Sequence, residues 1–191
     1  MNSEDLQLID RCLAGDSAAF GELVCKYQDR LYNTMVHVCG SPEEARDVAQ
    51  DAFVQAFVKL DTFQRASAFY TWLYRIAFNA AVSRRRRKRP TISVEQVRES
   101  SGLEPPDTHE SPDARMEQQE RVNQVQAGLA ELSDEHREVL VLKEIDGYRY
   151  EEIAEMLDLP IGTVRSRLFR ARMQLRDILK EVLHEDMDLR N

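Results

Sequence analysis

Cysteine, proline and glycine are scarce here: 3, 6 and 7 of 191 residues. The three cysteines, Cys12, Cys25 and Cys39, form no CxxC pair and match no zinc-ligand spacing, which excludes a disulfide framework and a zinc module. Their apolar helical surroundings predict buried free thiols, as suits a reducing compartment. With so few glycines and prolines, and no sustained alternation of polar and apolar residues, a turn-rich β architecture is excluded and helical periodicity dominates. No apolar run approaches the length of a membrane span. The acidic opening MNSEDLQLID lacks the apolar segment of a secretory signal. The expectation is an all-α, cytoplasmic protein with no membrane span. A phosphate loop, a nucleophile elbow and a metal-ligand cluster are also missing. Asp47 and Asp51 lie one turn apart but have no further ligand. No catalytic residue, metal or cofactor is therefore expected, and the chain is not expected to be an enzyme.

What is present is charge, unevenly placed. The formal net charge is −8, which by itself does not favour nucleic acid. Residues 1–90 hold 13 basic and 11 acidic residues, residues 91–115 hold 2 and 6, and residues 116–191 hold 11 and 17. Basic charge concentrates in two stretches, Arg84–Arg89 and Arg165–Arg176. Between Ile161 and Arg176 there are five arginines and no acid. Such clustering is the electrostatic footprint of a nucleic-acid binder.

The pattern divides the chain into a helical domain over 1–90, a flexible acidic linker over 91–115 and a second helical domain over 116–191. In the first, one helix starts at Ser3 and reaches about Ala14. A second covers about Ser17 to Val38, with Asp16 before it and Cys39-Gly40 ending it. The third opens with Ser41-Pro42-Glu43-Glu44, which combines an N-cap serine, a first-turn proline and a capping-box glutamate. Its apolar stripe is Ala45, Val48, Ala49, Ala52, Phe53, Ala56, Phe57 and Leu60. The fourth starts near Thr71 and runs into the arginines. Pro90, Pro105, Pro106 and Pro112, among serines and acids, mark the linker, which permits many relative orientations of the two domains. Periodicity resumes near Met116 and lasts to about Leu183, with the last residues fraying.

Within the second domain, YRYEEIAEMLDLPIGTVRSRLFRARMQLR contains two short helices joined by a brief break at Asp158-Leu159-Pro160, the pattern of a helix-turn-helix. Ile153, Ala154 and Leu157 mark the buried face of the first. Val164, Leu168, Ala171 and Leu175 mark that of the second. At about 100° per residue, Ser166 and Met173 lie opposite Val164, with Thr163, Phe169 and Arg170 beside them. Arg165 and Arg172 flank one side and Arg167 the other. Arginine makes paired hydrogen bonds to guanine, small polar residues allow close approach, and flanking arginines bind phosphate.

The run EEIAEMLDLPIGTVRSRLFRAR resembles the fourth conserved region of extracytoplasmic-function sigma factors, small two-domain subunits of bacterial RNA polymerase. The resemblance implies that Thr163, Arg165, Ser166, Phe169 and Arg170 face the upstream, or −35, promoter element. Arg149 departs from the family pattern, in which Ser or Thr often caps the helix YEEIAEML. Arginine cannot cap in that way, so this helix start should be weaker by about 1 kcal/mol.

The stretch SAFYTWLYRIAFNAA resembles the second conserved region of the same family. That resemblance places Arg65, Ala66, Ser67 and Ala68 near a base flipped from the downstream, or −10, element. Arg75, Asn79 and Arg84 are further candidate contacts to the same element. Arg75 and Asn79 share a face with Arg86, and the arginine cluster adds phosphate affinity. Aromatics crowd this segment; Phe69 and Trp72 fall on the core side, near Ile76, while others are candidates for base stacking. The run EEARDVAQDAFVQAF resembles the family segment that docks on the clamp coiled coil of the largest polymerase subunit. Asp47, Gln50, Asp51, Val54 and Gln55 are then the docking residues. The implied function is promoter-specific transcription initiation with core RNA polymerase, in a stress or envelope response, under control of an anti-sigma factor. The alternative from the residues alone is a helix-turn-helix regulator that never docks as a sigma subunit.

Overall fold

The structure, a computed structural model, describes residues 3–88 and 112–189. Among them there are only helices and their connections. The expected linker lies almost wholly outside the described residues.

The first half is a four-helix unit: α1 (Ser3–Leu13), α2 (Ser17–Cys39), α3 (Pro42–Val58) and α4 (Phe69–Lys88), with a 3-10 turn at Leu60–Thr62. The ends follow local chemistry. The Asp16 side chain accepts a hydrogen bond from the Ala18 N–H at 3.1 Å and caps α2. Gly40 ends it in the left-handed conformation, φ 76°, donating to the Val36 carbonyl. Ser41 and Pro42 start α3 as expected. Ala45, Val48, Ala49, Ala52, Phe53 and Ala56 pack inward, and the four alanines among them let α3 lie close to α2 and α4. Phe57 does not complete that stripe. It is 44% exposed and sets its ring edge against Phe20, 5.0 Å between centroids. The thiols also depart from expectation: Cys25 is exposed on the outer side of α2, and Cys12 and Cys39 are only half-buried.

The second half holds α5 (Pro112–Glu131), α6 (Asp134–Leu140), a π-helical turn at Val141–Ile145, α7 (Tyr150–Leu157) and α8 (Ile161–Leu189). α5 begins at Pro112, earlier than the apolar period indicates, because proline is at home in a first turn whatever follows it. α8 continues to Leu189, past the expected end near Leu183. The break between α7 and α8 is made by Asp158, φ 54°. Ile153, Val164, Leu168 and Ala171 are buried at 0–1% exposure. Met156, rather than Leu157, completes the buried face of α7.

The two halves touch. α2 packs against α5 and the π-helical turn, and α4 packs against α7. Buried Arg137, 3% exposed, ties the α5–α6 turn together by donating to the carbonyls of Leu129 (2.5 Å), Ala130 (2.8 Å) and Leu132 (2.8 Å). It also reaches Val38 at the end of α2 (3.0 Å).

Candidate nucleic-acid and partner interfaces

On α8 the inward residues anchor the helix and leave a continuous outer strip. Arg165, Ser166, Phe169 and Arg170 are exposed and Thr163 is half-buried. Phe169 is 67% exposed, far more than a core ring would be. The Ser166 hydroxyl donates to the Thr163 carbonyl at 3.0 Å. The flanking arginines are engaged by other elements: Arg167 pairs with Glu135 at 2.8 Å and Arg172 with Glu144 at 2.5 Å. Among the described residues, Arg165 and Arg170 have no acidic partner. Two arginines, a hydroxyl and an exposed ring thus face solvent from the first turns of a helix, the arrangement a base-reading surface requires.

Ahead of α7, Arg149 offers no side-chain acceptor, as expected. Glu152 compensates in part, since its carboxylate accepts from the Arg149 N–H at 2.7 Å and so supplies half of a capping box. That backbone hydrogen bond, together with the Arg149 guanidinium, holds the Glu152 carboxyl below its ordinary range.

Behind α8, Glu138 is 7% exposed. Burial pushes its carboxyl up to about 8; Arg167 opposes the shift, and Glu135 and Asp134 add to it. Neither Glu138 nor Arg137 carries a signal in the sequence pattern, because both read as solvated helix charges.

In the first half, residues 64–68 form the connection before α4. Arg65 holds φ 58° and its guanidinium pairs with Asp10. A left-handed arginine is a local strain of the sort found where a chain is shaped for a ligand. Ala66 and Ala68 are exposed and Ser67 is half-buried. Beneath them Phe63, Phe69 and Trp72 pack on one another, with centroids 5.1–6.0 Å apart. Phe63, Phe69, Tyr70 and Tyr74 are buried, so these rings support the loop as core.

The arginines of α4 are divided. Asn79 is exposed. Arg75 donates to the carbonyls of Met156, at 2.6 Å, and Glu155, both on α7. Arg84 pairs with Asp47 at 3.0 Å and Asp51 at 2.7 Å. Arg85 bonds Asp134 at 3.1 Å and the Ala130 carbonyl at 2.9 Å. The Arg86 side chain and Arg89 lie outside the described residues. The structure therefore joins two sets of residues that the sequence kept apart, since Arg84 of the DNA candidates bridges Asp47 and Asp51 of the docking candidates. On α3, Gln50, Val54 (59% exposed) and Gln55 face solvent. Val58, 72% exposed, and Phe57 extend that surface at its C-terminal end. Periodicity could not separate Phe57 from the core stripe beside it.

Two family models match the chain, one described as Sigma-70 region 2 over residues 23–91, the other as Sigma-70, region 4 over residues 123–175. The chain is 40% identical over 187 residues to the RNA polymerase sigma-H factor of Pseudomonas aeruginosa, covering 95% of this chain and 97% of that one. It is 36% identical over 175 residues to the ECF RNA polymerase sigma factor SigW of Bacillus subtilis, covering 88% and 92%. Among solved structures, the sigma factor RpoE in complex with the anti-sigma factor NepR from Bartonella quintana is similar at a TM-score of 0.63 and 26% identity. That match covers 84% of this chain and 96% of the other.

Proposed function

This chain belongs to the extracytoplasmic-function sigma factors, and on that premise we propose how its surfaces divide the work of promoter-specific initiation. Thr163, Arg165, Ser166, Phe169 and Arg170 read the upstream element. The observation that carries this assignment is the outer strip of α8, where Arg165 and Arg170 stand exposed without an acid partner among the described residues. Arg65, Ala66, Ser67 and Ala68 receive a flipped base of the downstream element, and Arg75, Asn79 and Arg84 hold the adjoining strand. Asp47, Gln50, Asp51, Val54 and Gln55 dock on the clamp coiled coil of the largest polymerase subunit, where acids beside an exposed valine suit a basic partner helix. An anti-sigma factor restrains the protein; the support is the likeness to RpoE, solved in complex with NepR. The chain works in the cytoplasm as a polymerase subunit, with no catalysis of its own. No described helix is long and apolar enough to cross a membrane.

Transcription in vitro with core polymerase and genomic fragments tests this division. The wild-type chain should direct initiation at a limited set of start sites. Asp51→Arg should lower core affinity at least tenfold while leaving helicity unchanged, because the exposed pair with Arg84 contributes only about 0–1 kcal/mol to folding. Unaltered core binding by Asp51→Arg would remove α3 from the docking surface.

A further inference from the structure

Helix α1 takes no part in the three surfaces described above, yet two of its acids are tied to the connection before α4. The first tie is buried. Asp5, 2% exposed, accepts from the Tyr27 hydroxyl at 2.6 Å and from the Lys26 ammonium at 2.8 Å. A carboxylate so deeply placed costs folding free energy unless its oxygens are bonded, and each oxygen here has a partner on α2. Burial, and after it the bond to Asp5, hold the Tyr27 phenol above its ordinary value, so its oxygen keeps the proton it donates. The Tyr27 ring lies 5.8 Å from that of Phe69, centroid to centroid, and 5.6 Å from that of Tyr70. Phe69 in turn packs on Phe63 and Trp72, the rings beneath residues 64–68. Asp5 is thus joined through Tyr27 to the floor of that connection.

The second tie is at the surface. Ile9, 1% exposed, seats α1, and α1 packs on the 3-10 turn at Leu60–Thr62. The next residue, Asp10, is exposed, and its carboxylate pairs with the Arg65 guanidinium. Arg65 holds φ 58°, a conformation that crowds any side chain with a Cβ and persists only where the surroundings enforce it. Among the described residues, no backbone hydrogen bond ties residues 64–67. The pair with Asp10 is therefore a polar constraint acting on the strained residue itself. An exposed ion pair adds little to global stability, so its effect is to orient Arg65 rather than to fold the chain.

We propose that α1 is a positioning strut for the base-capturing connection: Asp10 fixes Arg65 from outside and Asp5 fixes the ring floor through Tyr27, so that residues 65–68 are shaped before a base arrives. The strut rests on the downstream-element reading above. Asp5 and Asp10 are positioning residues, acting through Tyr27 and Arg65. A connection already shaped spares the ordering cost of binding. Loss of a tie therefore weakens the hold on the flipped base and on nothing else.

The test uses the full chain assembled with core polymerase and a non-template-strand oligonucleotide carrying the downstream element of a start site mapped in vitro. Abasic residues placed in turn along the strand identify the captured base. Asp10→Asn should weaken binding of the intact strand about fivefold, and should have no effect once the captured base is absent. Core affinity and helicity should stay as in the wild type. Arg65→Gly adopts the left-handed conformation without strain, so Asp10→Asn added to it should cause no further loss. Tyr27→Phe keeps the ring, removes the donor to Asp5 and should also give a base-dependent loss. Amide hydrogen exchange over residues 64–68 should quicken in Asp10→Asn. The strut is overturned by equal affinity of Asp10→Asn and wild type for the intact strand, by equal losses on intact and abasic strands, or by losses that add to those of Arg65→Gly. A wild type that binds every abasic strand like the intact one removes the capture reading instead. Exchange then decides the strut, and residues 64–68 equally protected in Asp10→Asn and wild type overturn it.

Discussion

The outer faces of α8 and α4 are both rich in arginine, yet the structure treats them differently. On α8 Arg165 and Arg170 stand in solvent, and Arg167 and Arg172 are the arginines paired with acids of neighbouring elements among the described residues. On α4, Arg75, Arg84 and Arg85 all have protein partners, two of the three in the other half of the chain. Similar basic density along the sequence thus leaves Arg165 and Arg170 of α8 in solvent, while on α4 Arg75, Arg84 and Arg85 are engaged and Arg87 is exposed. The lesson is that charge gives a surface its capacity to bind, while its availability depends on what the rest of the fold brings opposite.

The sharpest way to break this comparison is to ask whether arginines in the second half really divide into structural and binding ones. Arg137→Met strips hydrogen bonds from four carbonyls and should cost about 3–5 kcal/mol in urea unfolding. A loss below about 1 kcal/mol would erase the distinction. Arg170→Ala should leave stability unchanged and weaken upstream-element binding by about 1–3 kcal/mol, and only for the cognate sequence. An equal loss on every sequence would make it a phosphate contact, no different in kind from the α4 arginines.

The support beneath α8 should respond to pH. The Glu138 carboxyl titrates at about 8 in the folded chain and near its ordinary value when unfolded, so the folded state binds more protons in between. Its contribution to stability is full below the ordinary carboxyl range and is lost as pH rises to about 8, at up to about 1.4 kcal/mol per pH unit. Glu138→Gln should flatten that part of the profile in chemical unfolding at stepped pH. An unchanged slope would show that the carboxyl is hydrated. The smallest effect concerns the start of α7. Arg149→Ser restores the missing acceptor while keeping the Glu152 half of the box, and should raise the melting midpoint by an amount equivalent to about 0.5–1 kcal/mol.

Elements whose signal repeats every three or four residues are legible in the amino-acid order alone. The Asp16 and Ser41 caps, the Gly40 stop, the break at Asp158 and the outward strip of α8 all follow from periodicity and end chemistry, which act within one or two turns. Departures occur where a local pattern allows two outcomes. Phe57 continues the α3 stripe but lies past the end of the packed region, and Cys25 sits among apolar residues on a face that nothing covers. The helix ends at Pro112 and Leu189 lie beyond the apolar period because helix propensity outlasts it.

By itself, then, the amino-acid order determined an all-α chain, its helix-turn-helix and the residues on the outward strip of α8, since each depends on neighbours a few positions away. Only the tertiary structure decided which arginines remain free, that Glu138 and Arg137 are buried, and that the two halves close on one another. Those outcomes join residues far apart in the chain: Arg75 to Glu155, 80 positions on, and Arg30 to Tyr148, 118 positions on. No local period encodes such pairings, because they depend on how packed helices present their side chains once the core has formed.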